Sequence, residues 1–291
     1  MSSVPRITGA TRLYAIIGDP VAQARSPEVY TARFAAAGIH AVMVPFHVPA
    51  AKFDQAAPAL LSLANLDGIL VTAPYKARMP AFASRLGPAA KAIGAINALR
   101  REVDGSWTGD IFDGAGFVRG AEAKGERLRD RRVSLFGAGG AGSAIAYALA
   151  SAGVASLRVI DRTPARAEAL VARLQPAFPR LRLEAAPAIS PDSDMIVNAT
   201  TVGMRPDDPL PAAIGPLPRD TLVGDAVISP SPTALIRHAV ACGCAWIEGK
   251  DMHSGQIGAI MGFFGLVGCA AESSARDGSA PRHPASTAPG R

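Results

Sequence analysis

Cysteine is scarce in this chain of 291 residues, with only Cys242, Cys244 and Cys269 present. Three thiols late in the sequence cannot make a disulfide framework. Cys242 and Cys244 have no matching Cys/His pair, and His40, His47, His238, His253 and His283 lack metal-ligand spacing. No metal is therefore expected. Aromatic residues make up only 5%, and no Lys/Arg block is interleaved with them, which argues against a nucleic-acid surface. The longest uncharged apolar run, residues 257–271, falls short of the roughly 18 that a membrane span needs. The start, MSSVPRITGATR, lacks an apolar signal segment, so a reducing, cytoplasmic setting is the default expectation.

What is present suits a globular α/β protein. Apolar residues reach 49% against 19% charged, and the length allows two domains. A net charge of +6 suits small anionic ligands. The most informative stretch is residues 131–162, RRVSLFGAGGAGSAIAYALASAGVASLRVIDR. An apolar run at 133–136 breaks at Gly137, Ala138, Gly139, Gly140, Ala141 and Gly142, which fit G-x-G-x-x-G. An alanine-rich helical segment follows, Gly153 stops it, and a second apolar run ends on Asp161. That order is the dinucleotide-binding βαβ fingerprint, with the pyrophosphate at a helix N-terminus and the later acid on the ribose. A lone glycine triplet would be weak; strand, turn, helix, strand and acid in one register are specific.

Before this unit, residues 14–17, 41–45 and 68–72 read as strands, and 26–38 and 52–63 as helices. Ser26 reads as an N-cap, with Pro27 at the first helical position and Glu28 in the first turn. A short helix at 89–92 precedes a strand-type segment that turns at Asp104-Gly105. The glycine-rich residues 113–120 and the charged AEAKGERLRDRR read as a bridge into the dinucleotide unit. Further strands are expected at 181–184, 195–198, 221–227 and 245–248, with Ser231-Pro232 capping a helix that Gly243 closes. Residues 249–258 lead into a last helix, and the Ser/Pro/Ala/Gly-rich end from 272 reads as a disordered tail. Alternating strands and helices imply an α/β fold with mostly parallel sheet.

Several residues could carry chemistry. Lys76 follows a strand's C-terminal end, where ligands of open α/β sheets gather, and could exchange a proton with a substrate oxygen. A solvated surface lysine is the plainer reading. Asp113 could orient that lysine or serve only as turn chemistry. Asn97, set among apolar neighbours, needs a partner: a substrate hydroxyl or another polar side chain. Gln256 opens an apolar helix and could be a surface cap.

At these residues the chain resembles the shikimate dehydrogenase family. The blocks GDPVAQARSP, VTAPYK, GAINAL, GDIFDG, FGAGGAGSA, DRTPARA, NATTVGM, GDAVISPSPTALI and GKDMHSGQ carry the likeness over residues 14–271. It implies a substrate domain of residues 1–113 and 249–271, with a Rossmann-type dinucleotide domain of 114–248 between. It further implies hydride transfer between NAD(P) and a cyclic hydroxy acid, reducing 3-dehydroshikimate to shikimate, or acting on quinate, in aromatic amino acid biosynthesis. Lys76 and Asp113 match the family's catalytic pair, and Ser26, Thr72, Asn97 and Gln256 its substrate contacts. The glycine loop with Asp161, Arg162, Arg166, Thr200, Gly249 and Met252 matches its cofactor contacts. The partner is thus a small molecule, and the chain is a monomer or homodimer.

Three positions depart from the family's pattern. Ala24 stands where the first of two carboxylate-binding serines is usual, Ile228 replaces a tyrosine, and Leu70 an asparagine. Each lost donor to a carboxylate costs about 1.5–3 kcal/mol. Either Gln23 or Arg25 compensates, or the substrate is a different cyclic hydroxy or keto compound. A catalytically idle dinucleotide sensor is a third reading, which retention of both Lys76 and Asp113 opposes. Asp161, where NADP enzymes of the family usually have Asn, suits NAD and repels a 2′-phosphate. Arg162 and Arg166 match the phosphate-binding arginines. NAD is the preferred cofactor expectation, with NADP as the other.

Overall fold

Apolar runs short enough for strands alternate with helical stretches along the chain. In the computed structural model, which describes residues 6–266, they assemble two six-stranded sheets. The expected tail, with Cys269, His283 and the end of the 249–271 segment, lies outside the described residues.

The first sheet arises from β1 (Arg12–Gly18), α1 (Ser26–Ala36), β2 (Ala41–His47), α2 (Phe53–Leu61), β3 (Leu66–Val71), β4 (Arg85–Leu86), α3 (Pro88–Ile93), β5 (Ala98–Arg101) and β6 (Trp107–Asp110). Its strand order is β2-β1-β3-β5-β6-β4. β1 runs parallel to β2 and β3, while β5 is antiparallel to both β3 and β6. The second sheet follows α4 (Asp113–Ala123). It comprises β7 (Arg132–Phe136), α5 (Gly140–Ser151), β8 (Ser156–Ile160), α6 (Pro164–Leu174), β9 (Arg182–Ala185), β10 (Met195–Asn198), β11 (Leu222–Asp225), α7 (Ala234–Cys242), β12 (Ala245–Ile247) and finally α8 (Gly249–Phe263). Its order, β12-β11-β10-β7-β8-β9, is parallel throughout. Strand order reverses between β7 and β10, which opens a crevice at the strands' carboxyl ends.

Residues 113–120, expected as a glycine-rich bridge, form helix α4 instead. Glycine weakens an isolated helix, but here its missing side chain is what packing requires. A Cβ on Gly114 would collide with the Ala144 carbonyl of α5, and one on Gly116 with the Met252 carbonyl of α8. A Cβ on Gly255 would in turn strike the Gly116 carbonyl. α4 therefore lies in backbone contact with both neighbours. Ser26 is not an N-cap: α1 starts on it, Arg25 holds the cap position, and no side-chain cap bond forms. α7 is capped by Thr233, whose hydroxyl accepts from Ile236 N, rather than by Ser231. α8 begins at Gly249 itself, held by a capping box between Glu248 and Asp251. The two-residue β4 has no periodicity long enough to read in sequence.

The central strands β1, β3, β7, β10 and β11 are buried over most of their length, so they read as continuous apolar runs rather than alternating ones. α8 and its C-cap close the first sheet: Ile260 and Met261 of the helix and Phe264 just after it pack with Tyr14, Phe34 and Leu70. Burying a side chain of that size contributes about 1.5–3 kcal/mol. This contact returns the end of the described chain to the sheet where it began.

Candidate active site

Lys76 sits in the segment leaving β3, and Asp113 is the first residue of α4. Lys76 Nζ donates to Asp113 Oδ2 at 2.5 Å. The carboxylate is buried and the amine three-quarters buried, with side-chain exposures of 7% and 25%. A carboxylate at a helix start is favoured by the unpaired amides there. The backbone holds the lysine in place, because Ile96 N donates to the Lys76 carbonyl at 2.8 Å.

Asn97 is buried immediately before β5, and its partners are protein groups. Phe112 N donates to Asn97 Oδ1 at 2.9 Å. Asn97 Nδ2 then donates to Asp113 Oδ1 at 3.1 Å and to Gln256 Oε1 at 3.4 Å. Gln256 Nε2 lies 3.2 Å from His253 Nδ1, one turn earlier on α8. Lys76, Asp113, Asn97, Gln256 and His253 thus form one continuous row. His253 is the member that residue-by-residue reading passed over; its i, i+3 spacing from Gln256 on one helix was the available signal. Burial, with the charge of Arg25, lowers the pKa of its imidazole, and Asp113 opposes this. Tyr30 also lies within the field of Asp113, and burial raises its phenol above the ordinary range.

Ser26 is buried at the start of α1, and Thr72 half-buried beyond β3, but neither bonds to this row. Thr72 is locked by its backbone, donating to the Ile17 carbonyl at 3.0 Å and accepting from Tyr75 N at 3.0 Å.

The glycine loop joins β7 to α5. Gly137 has φ +98 and lies against the backbone of Ala199 and Thr200, so a side chain fits neither the conformation nor the space. Gly142 abuts the Gly137 carbonyl, while Gly139 and Gly140 are exposed at the start of the 12-residue helix α5, with Ala141 behind them. Nothing lies within 4 Å of a Cβ built on Gly139. One built on Gly140 would sit 3.9 Å from Cδ of Lys76. The loop's mouth and the Lys76–Asp113 pair therefore face one cleft. Asp161 accepts from Ala138 N at 2.8 Å and Thr163 N at 2.8 Å, while Arg162 and Arg166 stand exposed at the start of α6.

Across the crevice, Thr200 Oγ1 donates to Asn198 Oδ1 at 2.7 Å. Asn198 is anchored on buried Asp225, which also accepts from Thr233 Oγ1 at 2.7 Å and Val227 N at 3.0 Å. Gly249 lies against the backbone of Val227 and Ile228, and Met252 is buried beside Phe117 and Ile247. Among the described residues, no cluster of three His, Cys, Asp or Glu could hold a metal, and no helix is long and apolar enough to cross a membrane.

Two family models match the chain: the shikimate dehydrogenase substrate binding domain over residues 16–99, and shikimate / quinate 5-dehydrogenase over 119–204. A shikimate dehydrogenase (NADP(+)) of Rubrobacter xylanophilus is 40% identical over 254 residues, covering 86% of this chain and 89% of the relative. The chain belongs to the shikimate dehydrogenase family. Among solved structures, shikimate 5-dehydrogenase from Listeria monocytogenes in complex with shikimate and NAD superposes with TM-score 0.84. It is 27% identical, over 93% of this chain and 97% of that one. The Thermus thermophilus enzyme with NADP(H) and shikimate gives TM-score 0.77 at 28% identity, over 87% and 93%.

In this member of the shikimate dehydrogenase family, both expected stand-ins for the departed carboxylate donors lie at the surface with local partners. Gln23 Nε2 donates to the Pro20 carbonyl at 3.1 Å, and the Arg25 guanidinium pairs with Glu28. Both side chains are exposed. Ala24 and Leu70 instead join the apolar cluster that includes Ile257 of α8. Ile228 is exposed.

Proposed function

We propose that the protein interconverts shikimate and 3-dehydroshikimate with NADP(H), using Lys76 and Asp113 for the proton. The observation that carries this reading is the buried Lys76–Asp113 pair, held at 2.5 Å beside the mouth of the glycine loop. The open faces of Gly139 and Gly140 at the N-terminus of α5 fit a pyrophosphate. A bound nicotinamide would accept the hydride in oxidation and return it in reduction. In the reducing direction, the Lys76 ammonium donates a proton to the carbonyl oxygen, and Asp113 keeps the amine aimed. In oxidation the same amine takes the hydroxyl proton. Asn97 and Gln256 hold Asp113 from behind and offer polar groups to ring hydroxyls, with Ser26 and Thr72 as further substrate contacts.

We place the substrate-binding part in residues 1–113 and 249–271 and the dinucleotide-binding part in 114–248, with the cleft between. NADP is favoured over the NAD expectation by two observations. The Asp161 carboxylate is engaged with two backbone amides, and Arg162 and Arg166 are exposed for a 2′-phosphate. The name of the Rubrobacter relative points the same way. Gly137, Ala138, Gly142, Thr200, Gly249 and Met252 complete the cofactor contacts.

The test follows nicotinamide absorbance with shikimate, quinate and a panel of other cyclic alcohols, each with NADP+ and NAD+. Turnover of shikimate with NADP+ is expected to lead. Clear dinucleotide binding without turnover of any substrate would reject the proposal.

A further inference from the structure

The hydrogen-bond row behind Asp113 has a fixed direction. It starts at Phe112 N, a backbone amide that can only donate, so Asn97 Oδ1 accepts and Asn97 Nδ2 must donate onward. Gln256 Oε1 receives that bond, which leaves Gln256 Nε2 to donate to His253 Nδ1. The imidazole proton therefore lies on Nε2, and burial together with Arg25 favours this neutral ring. His253 Nε2 is the one buried side-chain nitrogen or oxygen without a partner among the described residues. A buried donor left unpaired costs about 1–3 kcal/mol, so this N–H favours any ligand that brings an acceptor to it.

The surroundings identify the acceptor's character. The next residue after Gln256, Ile257, packs in the same cluster as Ala24 and Leu70, so this part of α8 adjoins the start of α1. There lie the buried Ser26 and the Arg25 charge that acts on the imidazole. Gln23 and the Arg25–Glu28 pair both lie exposed at the surface. We infer that His253 is a specificity-determining residue whose Nε2–H donates to the substrate's carboxylate oxygen, replacing the donors that Ala24, Leu70 and Ile228 lack. This deepens the proposed function and rests on it.

Two substitutions separate this role from mere support of Gln256. Asparagine can reproduce the Nδ1 acceptor but not the distant donor, whereas glutamine can place an N–H where Nε2 was. His253→Asn should raise KM for shikimate roughly ten- to hundredfold with kcat little changed, and His253→Gln should recover much of that loss. The opposite ranking, or an unchanged KM in both, would overturn the inference while native turnover left the proposed function standing. Failure of the native protein to turn over shikimate would instead reject the proposed function first. Independently of turnover, NMR of the histidine ring nitrogens should report the Nε2–H tautomer and a shifted Nε2 proton when shikimate joins the NADP+-loaded protein. An undisturbed Nε2 proton would overturn the inference directly.

Discussion

Two buried aspartates lie on either side of the cleft, and each is held by an asparagine. Asp113 has Asn97 and the Lys76 ammonium; Asp225 has Asn198, the Thr233 hydroxyl and Val227 N, and no cation among the described residues. The difference separates chemistry from scaffolding. A carboxylate paired with a partly accessible amine can steer a proton. One surrounded by neutral donors in a fully buried pocket can only shape the loop above it, here Asn198 and Thr200. Burial raises the pKa of Asp225, and the bonds from Thr233, Val227 and Asn198 only partly offset this.

The sharpest way to break this comparison is to remove the cation. Lys76→Met should lower kcat by about 10²–10⁴-fold, with the dissociation constant for NADP+ little changed. The fold should survive, because Asn97 and the start of α4 still hold Asp113. An unaltered kcat would remove Lys76 from the proposed chemistry. On the other side, Asp225→Ala should cost about 2–3 kcal/mol in chemical denaturation, since it deprives three donors of an acceptor. Loss of turnover in a fully stable Asp225→Ala protein would show that the two centres are not different in kind.

A pH series refines the same contrast. A buried acid with a raised pKa contributes its stabilisation fully only below the unfolded value, about 4 for Asp. That contribution is lost as pH rises through the folded value. Asp225→Asn cannot ionise, so its stability relative to the native protein should improve as pH climbs from about 4 towards neutrality. Parallel stability curves would contradict the burial argument. The smallest effect belongs to the exposed rim of the dinucleotide site. Arg166→Ala should raise KM for NADP+ roughly tenfold while leaving that for NAD+ nearly unchanged. Equal changes for both cofactors would remove the 2′-phosphate contact.

How much of this was legible depends on whether the signal is local. The strand–glycine–helix unit at 132–160 is local, since its apolar periods and turn residues lie within a single βαβ. From the residues alone Asp113 is either a partner of Lys76 or plain turn chemistry, and family likeness decides between them, because a 37-residue separation carries no spacing rule. Asn97 was correctly expected to be buried, yet nothing nearby indicates that Gln256, 159 residues later, supplies a partner. Helix α4 is hidden from local reading for a physical reason. Gly114, Gly116 and Gly120 oppose a helix in isolation, and only the backbones of α5 and α8 make their missing side chains necessary.

The sequence by itself determined the alternation of strands and helices, the glycine turn and the residue types available for proton and phosphate, because these depend on neighbours a few positions apart. Tertiary structure decided that α4 is a helix and that α8 returns to the first sheet. It also decided that a row of polar groups runs from Lys76 to a buried histidine nitrogen. Each of these depends on contacts between segments far apart in the chain, where close packing and hydrogen-bond satisfaction override local preference.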